Sequence, residues 1–359
     1  MLATCNLIRH GVTVLVRDAG DRTTSFLALF VYIVRIEIFP YFGETKLTNM
    51  INRRNFIRNT GMLTVGAGLL SQTAFAAASP APGTALSRPI GLQLFTLMGI
   101  IDKDVDGTLK KLSELGYTEL ESAFSMKGGF YGLSAKEFAA KAGSFGMNWR
   151  AHHVLGAPFK LPAGAKMPTG ADGKPITIPP MKNLKENMQE IVDSVSGGGI
   201  KYLVCASTPI GTADEISSSI DTLNKTYESC KKAGLRLLYH NHDAEFKAVD
   251  GKVPYARFFT ELNPEIKFEL DLAWVTKAGL DPVSLFKLYP GRFPTWHVKD
   301  IDAEFKTLLP VGKGVVDFKR LFANADIAGL EYPFVEHDQP ADAFASLSTS
   351  IAYLKQILS

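Results

Sequence analysis

From Pro89 to the end of the chain, short apolar runs alternate with segments whose apolar residues recur at helical spacing. That alternation predicts parallel strands joined by crossover helices. Strands are expected over 90–95, 118–123, 148–155, 202–206, 236–240, 267–271, 295–299 and 333–336. Helices are expected near 104–115, 134–145, 181–196, 213–233, 253–262, 281–289, 317–325 and 341–357. Local signals support several of them. Ser134 stands as an N-cap with Glu137 three residues on, and Gly116, Gly146 and Gly234 fall just past helix ends.

Eight β/α units in about 270 residues predict a (β/α)₈ barrel over 89–359 rather than an open doubly wound sheet, which would carry a Gly-rich phosphate turn after its first strand. No such turn follows Phe95. The segment from 156 to 180, rich in Pro, Gly and Lys, follows the third strand on the side where barrel loops build sites. It reads either as a cover for substrate or as a surface excursion.

The pattern upstream is different. Residues 52–58 read Asn-Arg-Arg-Asn-Phe-Ile-Arg, followed by an uncharged run from 60 to 78 with small residues at Ala74 and Ala76. This resembles a twin-arginine signal peptide over 50–78, which implies recognition by the twin-arginine export machinery and a periplasmic location with no stable membrane anchor after cleavage. A Ser-Pro-Ala-Pro-Gly linker opens the stretch 79–88. Residues 1–49 hold an apolar run broken by Arg35 and Glu37, too short and too charged for a membrane span. With Met50 at the head of the signal, 1–49 is expected to be an over-extended start.

Of the 39 basic and 36 acidic residues, the first 77 positions hold eight and four, which leaves the barrel region with 31 against 32. This near-neutral balance argues against nucleic acid as a partner. Cys5, Cys205 and Cys230 make no zinc-type spacing and no disulfide framework.

Strand ends carry the candidate chemistry, because the C-terminal ends of barrel strands face the site. Six of the seven histidines lie there: His152 and His153, His240 and His242, His297, and His337. Glu121, Asp271 and Glu336 accompany them. A lone histidine is commonly a core residue, but histidines and carboxylates meeting at one mouth form an N/O donor set suited to Mn²⁺, Zn²⁺, Fe²⁺ or Co²⁺ rather than Ca²⁺.

The runs Leu-Leu-Tyr-His-Asn-His-Asp (237–243), Glu-Leu-Asp-Leu-Ala-Trp (269–274), Trp-His-Val-Lys-Asp (296–300), Val-Gly-Lys-Gly-Val-Val-Asp-Phe (311–318) and Phe-Val-Glu-His-Asp (334–338) occur in this order at strands five to eight. Together they resemble the sugar phosphate isomerase/epimerase superfamily of xylose-isomerase-like TIM barrels. The resemblance implies a divalent metal (Mn, Zn, Co, Fe or Mg) held by Glu, Asp, His and Glu from strands five to eight. Here these positions become His240, Asp271, His297 and Glu336, with His240 in place of the first glutamate. Trp274 stands where many members place a histidine.

The implied reaction is proton abstraction next to a carbonyl on a small sugar or ketosugar. With only one of the two glutamates present, a one-sided elimination, as in inosose-dehydratase-like members, fits better than symmetric epimerisation. Glu336, Lys299 and His240 are the expected catalytic groups. Lys299 lies two residues beyond His297 on the same strand face, with pairing to Asp300 or Asp271 as its alternative role. Glu121, His153, His242 and Trp274 are the expected substrate contacts. For Glu121 and His153 the alternative is a structural hydrogen bond, and for Trp274 it is simple packing. A non-catalytic sugar-binding barrel is the competing reading, and a phosphodiester-cleaving nuclease is disfavoured by the charge balance.

Overall fold

The computed structural model describes residues 88–159 and 181–359. The segments read above as extended start, signal peptide and most of the linker, and most of the 156–180 loop, lie outside those residues. In chain order the strands are β1 Gly91–Gln93, β2 Glu119–Ser122, β3 Asn148–Leu155, β4 Tyr202–Ser207, β5 Arg236–His240, β6 Lys267–Asp271, β7 Thr295–Val298, β8 Asp300–Ile301, β9 Leu308–Leu309 and β10 Tyr332–Val335. Eight of them close a barrel in the order β1-β10-β7-β6-β5-β4-β3-β2, every neighbouring pair parallel. The expected fold is therefore the observed one. β8 and β9 form a small antiparallel ribbon beyond the end of β7 that the strand pattern does not anticipate.

The helices are α1 Val105–Leu115, α2 Ala135–Ser144, α3 Leu184–Ser196, α4 Ala213–Lys232, α5 Pro254–Glu261, α6 Leu272–Lys277, α7 Pro282–Leu288, α8 Phe318–Phe322, α9 Ala325–Ala328 and α10 Ala343–Leu358. The helix expected over 317–325 is divided into α8 and α9. The capping box at α2 is complete: Ser134 Oγ accepts from Glu137 N at 3.3 Å, and Glu137 Oε2 accepts from Ser134 N at 2.8 Å. Among the described residues no helix is long and apolar enough to cross a membrane. Cys205 and Cys230 are both buried free thiols.

Alternation along the strands sorts residues into two environments. Tyr239 packs on Phe258 of α5, Phe268 on Phe259 of α5, and Trp296 on Phe286 of α7, so one face of each strand is sealed by helices. The opposite face looks into the barrel. Its lower part is an apolar plug of Ala151, Tyr202, Val204, Leu238 and Phe334, separate from the helix-side core. Gly91 admits the Phe334 ring to this plug, since a Cβ there would collide with ring atoms. Above the plug the inward positions turn polar.

Asp300 ties two of the sequence motifs together. Its side chain is fully buried and accepts four backbone N–H groups: Ile301 at 2.9 Å and Val316 at 3.1 Å on Oδ1, Gly312 at 2.9 Å and Gly314 at 2.8 Å on Oδ2. The Val-Gly-Lys-Gly-Val run is thus a cradle for a carboxylate of the chain itself. Gly314 is required there, because a Cβ would strike Ile301 O and the Asp300 carboxylate. Hydrogen bonds to a charged group contribute about 1.5–3 kcal/mol each before non-additivity. Asp300→Ala is therefore expected to destabilise the fold by about 3 kcal/mol or more, read as a lower urea midpoint with an unchanged slope. A loss under about 1 kcal/mol would contradict this anchoring role.

Candidate metal centre at the strand ends

Inward-facing residues above the plug come in two levels. The lower level holds Glu121 of β2, His153 of β3, His240 of β5, Glu269 of β6 and His297 of β7. Asp271, Lys299, Glu336 and Asp338 form the upper level, each two residues further along from an inward position. Glu121, Glu269, Asp271 and His297 have no exposed surface, and His240, Lys299 and Glu336 have 4% or less.

In the lower level, His153 Nε2 lies 2.5 Å from Glu269 Oε2, and His297 Nε2 lies 2.7 Å from Glu121 Oε2 and 3.1 Å from Glu269 Oε2. His240 Nδ1 lies 3.2 Å from the same Glu269 oxygen but is not aligned as a hydrogen bond. Burial pushes the Glu121 pKa up to about 7, with the nearby Glu269 charge adding to it. Burial opposes ionisation of Glu269 too, yet His297 and His153 hold its pKa well below the usual carboxylate range. His240 is driven well below the ordinary imidazole value, toward its neutral form, by burial and by His297.

At the upper level, the other nitrogen of His297, Nδ1, faces Glu336 Oε2 at 2.6 Å and Asp271 Oδ2 at 4.0 Å. Neither His297 Nδ1 nor Asp271 Oδ2 has a hydrogen-bond partner, although both are shut away from solvent. The ligand atoms of Asp271, His297 and Glu336 lie within 4.8 Å of one another, a spacing that fits a metal ion. Burial works against charging His297, but Glu269 and Glu336 hold its pKa well above the usual value. Lys299 Nζ sits 3.1 Å from Asp271 Oδ2, 2.7 Å from Glu336 Oε2 and 3.0 Å from Asp338 Oδ2. Those carboxylates keep its ammonium charged against the penalty of burial. Asp338, raised to about 6 by burial and by Glu336, joins Trp274, Lys306 and His337 in the wall of a cavity of about 760 Å³.

The expected ligand set is brought together only in part. Asp271, His297 and Glu336 form one group, whereas His240 groups with His153, Glu269 and the other nitrogen of His297. His240 therefore does not complete the upper group as its place in the motif implies; its ring lies with His153, Glu269 and His297 instead. Glu121 is sealed beneath the imidazoles, which matches the hydrogen-bond alternative rather than a substrate contact. Lys299 pairs with Asp271, Glu336 and Asp338; Asp300, its other expected partner, is occupied by backbone. His242 is half-buried with its ring 6.2 Å from the Trp274 ring, and Trp274 lies under the ammonium groups of Lys277 and Lys299.

Two acidic residues went unnoticed in the sequence. Glu269 and Asp338 each sit two residues from an expected ligand, and the period of two that defines a strand face was the available signal. Asp271 Oδ1 also caps α6 by accepting from Trp274 N at 3.0 Å, which fixes the carboxylate's orientation.

A closed parallel barrel with histidine and carboxylate groups at the C-terminal ends of its strands defines a β/α barrel with a candidate metal centre. The chain belongs to the xylose isomerase-like TIM barrel family, whose model matches residues 109–357. It is similar to the crystal structure of a sugar phosphate isomerase/epimerase from Parabacteroides distasonis, at 25% identity and a TM-score of 0.60, covering 79% of this chain and 98% of that one. A structure of the IOLI protein with a bound zinc atom shares the fold at 15% identity and a TM-score of 0.55, covering 76% of this chain and 98% of that one. Inosose dehydratase of Geobacillus thermodenitrificans is 24% identical over 156 residues, 38% of this chain and 52% of that protein. The match thus spans about half the length of that curated relative.

His152 shows what strand direction does to a histidine. It points away from the barrel interior, its Nδ1 2.8 Å from Ser122 Oγ and its ring against Phe130 and Trp149. Burial, with His153 beside it, lowers its pKa to about 3. His152→Ala is expected to cost about 1–3 kcal/mol of stability through lost packing and the loss of the Ser122 Oγ contact. Metal content, measured by elemental analysis, should stay at the wild-type value; a loss would place His152 in the site.

Proposed function

We propose that this protein is a metal-dependent enzyme that abstracts a proton next to a carbonyl on a sugar or ketosugar. The observation that carries the reading is the convergence of Asp271, His297 Nδ1 and Glu336, with Lys299 beside them and Asp338, paired to that ammonium, in the wall of a large cavity. A divalent ion held by those three residues would supply Lewis-acid polarisation of a substrate carbonyl oxygen. Its identity among Mn²⁺, Zn²⁺, Co²⁺, Fe²⁺ and Mg²⁺ stays open, although zinc in the IOLI structure supports a borderline metal.

The chain's own residues supply the rest. The Lys299 ammonium, fixed by its carboxylate neighbours, stabilises negative charge that develops on a substrate oxygen. Glu336 and Asp338 flank that ammonium and are the carboxylates placed to take a proton and to return one. Trp274 gives the cavity an apolar wall for the carbon face of a sugar ring. Elimination rather than symmetric epimerisation is favoured by two observations. His240, in place of the family's glutamate, lies outside the upper group, and a dehydratase is among the similar proteins. The twin-arginine pattern at 50–78 supports a periplasmic enzyme acting on free or glycosidic sugars.

Asp271→Ala and His297→Ala are each expected to lose the metal held at this group, read by elemental analysis after gel filtration; full occupancy in both would remove the ligand assignment. Asp338→Asn is expected to lower turnover by about 10²-fold or more without changing metal content. The reaction itself is tested by incubating metal-loaded protein with ketosugars in D₂O and following the α-carbon by NMR. Deuterium incorporation or elimination supports the enzyme. Measurable sugar binding with neither outcome would make the protein a binding barrel.

A further inference from the structure

We propose that the barrel interior holds a second divalent cation, one level below the first, bound by His153 Nε2, His240 Nδ1, Glu269 and His297 Nε2. These four side chains come from four different strands, and their ligand atoms all lie within 4.8 Å of one another. Only His297 is shared with the upper group, and it offers a different nitrogen to each. The inner site therefore stands whether or not the upper group holds a metal.

A network of protons shared between imidazoles and carboxylates would account for the contacts of His153 with Glu269 and of His297 with Glu121. It does not account for the atoms left over. Glu269 Oε1, Glu121 Oε1 and His240 Nδ1 are buried and have no hydrogen-bond partner, although their residues are 3% exposed or less. Unpaired polar atoms are costly to bury, and Glu121 Oε1 and His240 Nδ1 both lie beside the His153–Glu269 pair, where one common partner would satisfy them. A cation supplies it. Glu121 Oε1, 3.5 Å from His153 Nε2, is the second carboxylate that balances the added charge.

Three imidazole nitrogens and one carboxylate form a mostly nitrogen donor set with the ligand number of a tetrahedral site. This favours Zn²⁺ or Co²⁺ over Mg²⁺ or Ca²⁺. With both levels filled, each His297 nitrogen would face one ion, and the two protons of its imidazolium would pass to solvent.

The test uses metal-free full-length protein loaded with Zn²⁺ or Co²⁺, gel-filtered and analysed for metal per chain. Two equivalents are expected in the wild type, one in Glu269→Gln, one in Asp271→Asn and none in His297→Ala. A single wild-type equivalent that Glu269→Gln keeps and Asp271→Asn loses overturns the inner site. The converse, a single equivalent lost in Glu269→Gln and kept in Asp271→Asn, supports the inner site and removes the upper one. Should Glu269→Gln fail to fold, zinc-soaked wild-type crystals decide the matter by anomalous scattering at the zinc edge. A peak in coordination contact with His153 Nε2 and Glu269 supports the proposal, and its absence there overturns it.

Discussion

The His297 imidazole has no exposed surface and carboxylates on both sides, Glu121 Oε2 2.7 Å from Nε2 and Glu336 Oε2 2.6 Å from Nδ1. Moving so many ionisable groups out of water costs several kcal/mol per ion. Mutual pairing offsets that cost only while the geometry is held, so each residue here depends on its neighbours. The opposite shifts of Glu121 and Glu269, one raised and one lowered, follow from this packing: two carboxylates share a site with imidazolium groups that serve one better than the other.

What holds the geometry is apolar on two sides. Helices seal the outer faces of the strands with aromatic contacts, and the plug under the polar level closes the barrel from below. The upper edge is fixed by polar means instead. Asp300 draws the 311–316 backbone onto the end of β7, and Asp271 caps α6. Lys299 and Asp271 are therefore each next to, or part of, an element end whose position is set by hydrogen bonds to a carboxylate. A site on rigid elements with a supported second layer keeps its groups within the tolerance that chemistry needs.

The strands were legible because their helix-facing residues are apolar and their lengths are ordinary; β3, β5 and β6 fall on their expected bounds. Asp271, Lys299 and Glu336 were legible as strand ends. Glu269 was not, because it lies inside the run Phe-Glu-Leu-Asp, where the motif directs attention to the final aspartate. The sealed position of Glu121 was equally hidden, since residue type does not give depth along a barrel axis. β8, β9 and α6 were missed because two-residue strands and a six-residue helix carry too little periodicity to register. The position of His240 needed side-chain distances, which bring its Nδ1 to 3.2 Å from Glu269 and leave it outside the Asp271 group.

His152 and His153 state the same constraint at its sharpest. They are adjacent, of one type and on one strand, yet one packs against Trp149 on the helix side while the other meets Glu269 inside the barrel. The period of two allows no other result. A histidine count at strand ends therefore overstates the site until each residue is assigned a face. Once faces are assigned, Glu269 enters and His152 leaves, and the polar interior resolves into two levels that meet at His297.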